Sequence, residues 1–120
     1  MRHKKIHLRF LALAALVFAG APASAQPAKP LLIGQTYVQT GPLASLSTEP
    51  LVGIRAMFTA LNASGGVNGR PVELRQLDDA YDPAKGAENV KTFARDGAIG
   101  VLLPIGTWSG DGAVEGANEL

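Results

Sequence analysis

The sequence predicts an α/β protein built around a parallel sheet, because helix-like and strand-like patterns alternate along residues 31–120. Within 61–85 alone, a helix end, a tight turn, a strand and the start of a second helix follow one another. A continuous apolar run at 98–103 indicates another strand, buried on both faces as in the middle of a parallel sheet. The predicted order is βαβαβα, with helices covering the sheet to give three layers.

The first strand and the first helix are predicted for the segment that precedes this stretch. Residues 31–37 form the strand, apolar at its start and polar toward its end, and a loop runs on to about Leu46. We expect Ser47 or Thr48 to cap the next helix, with Pro50 near its start. Four apolar residues spaced three and four apart then form a stripe that would lie on the sheet: Leu51, Ile54, Phe58 and Leu61.

Turn residues mark the boundaries of the next elements. The glycine pair at 65–66 is expected to adopt left-handed dihedrals just past the helix, and the Asn-Gly pair at 68–69 to turn the chain sharply. Apolar and charged residues alternate in 71–77, as in a half-buried strand. Asp82 then suits the N-cap of a second helix, with Pro83 at its first position.

The second helix is expected to end at Gly97 and to bury a smaller apolar stripe. The members of this stripe are Ala84, Ala87, Val90 and Ala94, with Phe93 beside them. The apolar strand at 98–103 follows, then a loop at 104–112, and a third helix is expected from Ala113 onward.

The N-terminus has the three-part layout of a secretory signal peptide. Residues 1–9 carry four basic side chains and no acid, 10–21 are almost wholly apolar, and 23–25 form a small-x-small cleavage site. The apolar run of about 12 residues is well short of the roughly 20 that a membrane-spanning helix needs. We therefore expect cleavage after Ala25, followed by a short leader at 26–30.

The mature chain is acidic once this signal is removed. The precursor has 11 Lys and Arg and 10 Asp and Glu, and four of the basic residues belong to the signal. The remaining seven basic and ten acidic residues give a net charge of −3, so binding to nucleic acid or to an anionic membrane surface is not expected. The chain has no cysteine for disulfides or for a lipoprotein anchor. A soluble periplasmic protein fits these features best, with no direct membrane insertion.

Four short motifs occur in a fixed order and spacing along the mature chain. They are TGPLA at 40–44, NASGGVNGR at 62–70, DD at 78–79 and DP at 82–83. Together they resemble the type I periplasmic solute-binding proteins of ABC importers, in particular the branched-chain amino acid (Leu/Ile/Val) binding family. The resemblance extends over about residues 31–113. It implies a fold of two lobes that close on a ligand, and this chain would hold only the first βαβαβα of the N-terminal lobe. We therefore expect an N-terminal fragment of a longer protein.

The resemblance implies a function in solute capture, without catalysis and without a cofactor. The protein would bind a small organic solute in the periplasm, such as a branched-chain or other amino acid, an amide or an aromatic acid. Lobe closure would then let it dock on inner-membrane ABC permease subunits. The alternatives are the extracytoplasmic ligand-sensing domain of a receptor or regulator with the same fold, and a non-functional truncated product. An exported α/β enzyme would need catalytic residues outside 26–120.

Ligands of open α/β sheets sit outside the carboxyl ends of the strands. Three loops qualify here, at 38–46, 78–82 and 104–112. The resemblance selects two of them, because in the amino-acid binders the loop after the first strand supplies an apolar wall. The loop after the third strand supplies a hydroxyl and backbone N–H groups to the ligand carboxylate. Carried over by position, these roles fall on Leu46 and Thr107.

Gly106 and Trp108 flank Thr107 and complete the ligand-binding set that the resemblance implies. A hydroxyl beside free N–H groups at the start of a helix makes an anion site, but an ordinary N-cap threonine has the same sequence pattern. Trp108 either stacks on an aromatic or apolar substrate or packs against the neighbouring lobe or loop. The amino-acid binders tend to have a serine-rich run where residues 105–110 read IGTWSG, and some have a larger aromatic residue in place of Leu46. An aromatic acid, an amide or another small organic anion is therefore as plausible as leucine.

Other motifs are expected to be structural or fortuitous. Asp78, Asp79 and Asp82 lack further oxygen ligands at a spacing that would converge on a metal. We expect a structural role for them, in which Asp78 or Asp79 satisfies loop N–H groups. The glycine pattern at 106–112 matches a dehydrogenase turn, but it follows the third predicted strand of an exported chain rather than the first strand of a cytoplasmic enzyme. Both histidines lie in the signal, which leaves the mature chain without one for zinc or general-base chemistry.

Overall fold

The computed structural model of the protein describes residues 28–102 and 104–120. The signal peptide predicted for 1–25 lies outside these residues, as do the first two positions of the leader predicted for 26–30. Residues 28–30 are exposed and belong to no helix or strand. Among the helices in the described ranges, none combines the length and the apolar character needed to cross a membrane.

Three parallel strands alternate with three helices in the described residues, which confirms the predicted order βαβαβα. In chain order the elements are β1 (Leu31–Tyr37), α1 (Ser45–Ala63), β2 (Val72–Asp78), α2 (Pro83–Arg95), β3 (Gly100–Val101) and α3 (Thr107–Asn118). The sheet order is β2-β1-β3, so β1 is the central strand. It pairs with β2 along its whole length and with β3 only at Ile33 and Gly34.

Helices α1 and α2 cover opposite faces of this sheet. On one face Gln76 donates to Gln35 across β1 and β2 at 2.8 Å, and Arg55 of α1 donates to Gln76 at 2.9 Å. On the other face Asn89 of α2 donates to Thr36 of β1 at 2.9 Å. Because neighbouring residues of a strand point to opposite faces, these contacts place the two helices on opposite sides. The three-layer prediction is therefore confirmed.

The predicted turn chemistry is present between α1 and β2 and at the start of α2. Gly65 and Gly66 have φ of 102° and 71°, and their N–H groups bond carbonyls of the last turn of α1 at 3.1 and 2.9 Å. Asn68 and Gly69 are also left-handed, and the residues on either side exchange two backbone hydrogen bonds. Asp82 caps α2 by accepting from a first-turn N–H at 2.9 Å. These local predictions are confirmed.

The predicted start of α1 is wrong. The helix begins at Ser45, ahead of the expected caps Ser47 and Thr48, and Pro50 lies inside it rather than at its first turn. The hydroxyl of Ser47 is used elsewhere: it is buried and accepts the N–H of Val38 at 3.1 Å. A serine that would suit an N-cap therefore ties the helix to the loop after β1.

The third strand is shorter and more exposed than predicted. Among the described residues of the apolar run at 98–103, Gly100 and Val101 form strand, and Ile99 is 66% exposed. Within the described residues β3 pairs with β1 alone. The burial on both faces that was predicted for this strand is therefore wrong for these residues.

Helix α3 starts at Thr107 rather than near Ala113, which corrects the expected loop at 104–112. Glycine is typical of a loop, but Gly112 in this helix permits close helix packing instead. A side-chain carbon at Gly112 would lie 2.0 Å from the carbonyl oxygen of Pro83 in α2. The two helix backbones therefore approach each other more closely than any larger residue would permit.

The buried face of α2 is rotated toward α3 relative to the predicted stripe. Its buried residues are Gly86, Ala87, Val90 and Phe93. Ala84 and Ala94 are exposed, so their assignment to the stripe is wrong. On α1 the predicted stripe is confirmed, with Leu51 buried and its three other members half-buried.

Gly112→Ala is expected to destabilise the protein by about 1–3 kcal/mol, because overpacking would force α3 away from α2. Gly110→Ala is the matched control in the same helix, where an added carbon meets nothing within 4 Å. It is expected to stabilise by about 0.5–1 kcal/mol, since alanine favours a helix over glycine. Urea-induced unfolding of the intact protein compares the two variants. Equal effects would contradict the close packing of α2 on α3.

Candidate functional site

The carboxyl ends of the three parallel strands lie along one edge of the sheet, which is called the carboxyl edge below. The chain passes from β1 to β2 on one side, then crosses back to β3 on the other, so the strand order reverses at β1. Such a reversal leaves a crevice between the loops of the neighbouring strands, and open α/β sheets bind ligands there. The loops after β1 and β3 flank this position, and α1 and α3 start from them.

The loop after β1 is held by the carboxylate of Asp78 at the end of β2. Its Oδ1 accepts the N–H groups of Gln39 at 2.7 Å, Thr40 at 3.3 Å and Ala80 at 2.9 Å. Its Oδ2 accepts the Thr40 hydroxyl at 2.5 Å. One side chain therefore joins the loop after β1 to the loop after β2.

Burial is the largest single influence on the Asp78 carboxyl, and alone it raises the pKa. The Thr40 hydroxyl and the N–H groups of Gln39, Ala80 and Thr40 act in the opposite direction, because they stabilise the ionised form. Together they lower the pKa of Asp78 from 3.8 to about 2. The carboxylate is therefore charged at neutral pH and keeps its acceptor role.

Asp79 is fully buried and anchors the loop after β2 to the sheet. Its Oδ2 accepts the Thr36 hydroxyl at 2.7 Å, and its Oδ1 accepts the N–H of Tyr81 at 2.9 Å. The Thr36 oxygen in turn accepts from Asn89 of α2 at 2.9 Å. The predicted structural role of Asp78 and Asp79 is confirmed. Nowhere in the described ranges do three metal-ligating side chains cluster.

Two residues of the loop after β2 have left-handed backbones although neither is glycine. Ala80 has φ of 50° and Tyr81 has φ of 65°. This conformation is uncommon for residues with a side chain and costs on the order of 1–3 kcal/mol each. Hydrogen bonds to charged groups contribute about 1.5–3 kcal/mol each, and Asp78 and Asp79 accept both N–H groups of this turn. The two carboxylates therefore offset the cost of the turn.

The left-handed turn directs Tyr81 toward the start of α3. Its ring lies parallel to that of Trp108, with the ring centroids 5.8 Å apart and the planes inclined by 8°. A side-chain carbon at Gly106 would lie 2.4 Å from the Tyr81 ring, so only glycine fits there. Tyr81 was not singled out from the sequence. Its only signal was its position between a strand end and a helix cap.

The first turn of α3 is the part of the carboxyl edge best suited to an anion. Gly106 is the N-cap, with φ of 105°, and no side chain caps the helix. Thr107 is the first helical residue, so its interpretation as an ordinary N-cap is wrong. Its side chain is exposed, whereas Ser109 is buried and its hydroxyl has no hydrogen-bond partner in the part of the chain described. Thr107 therefore supplies the reachable hydroxyl of this turn.

The four predicted ligand residues fall into two groups. Gly106, Thr107 and Trp108 lie together at the start of α3, where Trp108 is 57% exposed. Leu46 lies in the first turn of α1, which packs on the opposite face of the sheet, and it is 46% exposed. All four belong to the segments that follow β1 and β3, beside the reversal of strand order. Ligand contact by these residues stays a prediction.

A sequence model of the family described as periplasmic binding protein matches residues 30–118. The chain belongs to the periplasmic binding protein family. The match runs from the start of β1 to the end of α3, so it includes every element of the fold. This is a family of solute-binding proteins rather than of enzymes, and it implies a periplasmic location.

Similar proteins agree with this assignment. Leu/Ile/Val-binding protein homolog 1 of Brucella abortus (strain 2308) is 33% identical over 92 residues, which cover 77% of this chain and 24% of that protein. The solved structure of a possible leucine/isoleucine/valine-binding protein from Rhodopirellula baltica SH 1 has a TM-score of 0.71 and 28% identity, over 81% of this chain and 27% of that one. LivJ, the branched-chain amino acid transporter substrate binding protein of Streptococcus pneumoniae str. Canada MDR_19A, was solved with isoleucine. It has a TM-score of 0.70 and 23% identity, over 75% of this chain and 26% of that one.

These likenesses confirm the predicted type I periplasmic binding protein fold. The chain spans only 24 to 27% of the length of these relatives. Its described residues form the first βαβαβα of the fold.

The acid sensitivity of the carboxyl edge is expected to depend on Asp78. Because folding lowers its pKa from 3.8 to about 2, the stability it contributes is complete above 3.8 and is lost as the pH falls through 2. Between pH 5 and pH 2 the unfolding free energy should therefore fall more in the wild-type protein than in Asp78→Asn, whose amide does not titrate. Urea unfolding at constant ionic strength measures both curves. The other carboxylates are common to both proteins and cancel, so a constant difference across this range would contradict the assignment.

Proposed function

We propose that the intact protein is the substrate-binding component of an ABC importer, which captures a small organic carboxylate in the periplasm. The observation that carries the proposal is the start of α3, which opens at the carboxyl edge with a glycine N-cap and an exposed threonine hydroxyl. Inner-membrane ABC permease subunits would receive the solute. The family, and the Leu/Ile/Val-binding names of the relatives, support the class of function.

The physical basis is the unpaired backbone of a helix N-terminus. The first N–H groups of a helix have no carbonyl partner within it, and the helix dipole places partial positive charge there. A ligand carboxylate would accept from the N–H groups of this turn and from the Thr107 hydroxyl. Gly106 would contribute through its backbone, because the space where its side chain would lie is filled by Tyr81. Leu46 would supply an apolar wall from the other side of the crevice.

Capture would proceed by lobe closure, without bond making or breaking. The ligand binds one face of an open crevice, and contacts from a second lobe stabilise the closed form in preference to the open one. This chain spans about a quarter of its relatives' length, with 24% of the Brucella protein covered. The second lobe would therefore be supplied by the rest of the intact protein. The closed form would be the one that the permease recognises.

Thr107→Ala is expected to weaken ligand binding by more than tenfold, which corresponds to about 1.4 kcal/mol, because it removes one hydrogen bond to a charged oxygen. The intact protein is screened by titration calorimetry with L-leucine, L-isoleucine, benzamide and benzoate. The tightest of these is then titrated into the variant. Thr59→Ala is the control, since Thr59 is an exposed threonine whose hydroxyl donates to the carbonyl of Arg55 in its own helix.

Unchanged affinity in Thr107→Ala would remove this residue from the site. An equal loss in Thr59→Ala would indicate a general effect on the fold rather than a ligand contact. Failure of all four compounds to bind would contradict capture of a small solute of these classes.

A further inference from the structure

We propose that Tyr81 and Trp108 form an aromatic wall of the ligand site and that this wall selects a planar aromatic carboxylate over an aliphatic one. The inference rests on the proposed function, since it assigns a substrate class to the same site. Trp108 would be the contact residue, and Tyr81 a positioning residue that acts through it.

The wall is an extended stack with one open side. The two rings are parallel and offset, at a centroid distance of 5.8 Å, which lies in the range preferred by aromatic pairs. Trp108 remains 57% exposed although one of its faces is turned to Tyr81. The opposite face of the indole is therefore available to a third flat ring, which would continue the stack.

The stack is fixed before any ligand arrives. The left-handed backbone of Tyr81 is held by the buried carboxylate of Asp79, and that of Ala80 by Asp78. The missing side chain at Gly106 leaves room for the Tyr81 ring directly beside the start of α3. Because the rings are already ordered in the unliganded protein, ligand binding loses little side-chain entropy at this wall.

The position of Trp108 links the wall to the anion site. It is the second residue of α3 and directly follows Thr107. A carboxylate bound at the first turn of the helix would therefore lie beside the residue that carries the indole. A ring attached directly to that carboxylate, as in benzoate, would reach the indole without a flexible linker. A branched aliphatic side chain has no flat face to complete the stack.

The test compares benzoate with cyclohexanecarboxylate and L-isoleucine on the intact protein by titration calorimetry. Benzoate and cyclohexanecarboxylate share the carboxylate and the ring size, but only benzoate is flat and aromatic. We expect benzoate to bind at least tenfold more tightly than either of the others. Trp108→Leu should abolish this preference, and Trp108→Phe, which keeps a flat ring, should retain most of it.

Tyr81 is tested by the same ratio. Tyr81→Ala should reduce the preference for benzoate several-fold, because Trp108 loses the ring that positions it, whereas Tyr81→Phe should leave the preference unchanged. Thermal melting of each variant shows whether it is folded. The Phe variants keep both rings of the wall, so they provide the result even if the smaller substitutions unfold the protein.

The outcomes separate this inference from the proposed function. Equal affinity for benzoate and cyclohexanecarboxylate, with both weakened by Thr107→Ala, would overturn the aromatic wall and leave solute capture standing. The same conclusion follows if Trp108→Leu weakens all three probes equally, because Trp108 would then support the fold or the second lobe. Absence of binding by all three probes would overturn both.

Discussion

The carboxyl edge of the sheet depends on two adjacent carboxylates, Asp78 and Asp79. Asp78 accepts from the loop after β1 and Asp79 from Thr36 on the central strand, while both accept from the turn that leads to α2. A buried carboxylate is costly unless it is paired or hydrogen-bonded, and here each oxygen has a donor. The hydrogen bonds that these two carboxylates accept hold the loops after β1 and β2 in place, beside the reversal of strand order.

This arrangement determines what the edge can present to a solute. The turn held by the carboxylates places Tyr81 against Gly106 and Trp108, so the start of α3 has an aromatic pair on one side and an open first turn on the other. Close glycine packing of α3 on α2 fixes the direction in which that first turn points. An uncapped helix N-terminus and an aromatic surface thus lie side by side, which is the combination that the proposed capture of a small organic carboxylate requires.

Much of the fold was predictable because its signals are local. The glycines after α1 and the Asp82 cap act within a few residues, and alternation within β2 shows directly in the chain. The short extent of β3 was not predictable, because apolar composition does not show how many residues of a segment pair with a neighbouring strand. The early start of α3 was not predictable, because glycine usually indicates a loop, and the reason for Gly112 is its close contact with α2 in the folded structure. Within the candidate site, Thr107 and Trp108 were predicted from the resemblance to the amino-acid binders, whereas the role of Tyr81 depends on a backbone conformation that the carboxylates of Asp78 and Asp79 stabilise.

A crystal structure of the intact protein with its tightest-binding solute would locate the ligand relative to the carboxyl edge. We expect the solute carboxylate to lie within hydrogen-bonding distance of the first-turn N–H groups of α3 and of the Thr107 hydroxyl. We also expect the loop after β2 to keep its left-handed turn at Ala80 and Tyr81. A solute bound elsewhere, with no atom near the first turn of α3, would show that this edge of the sheet is not the binding site.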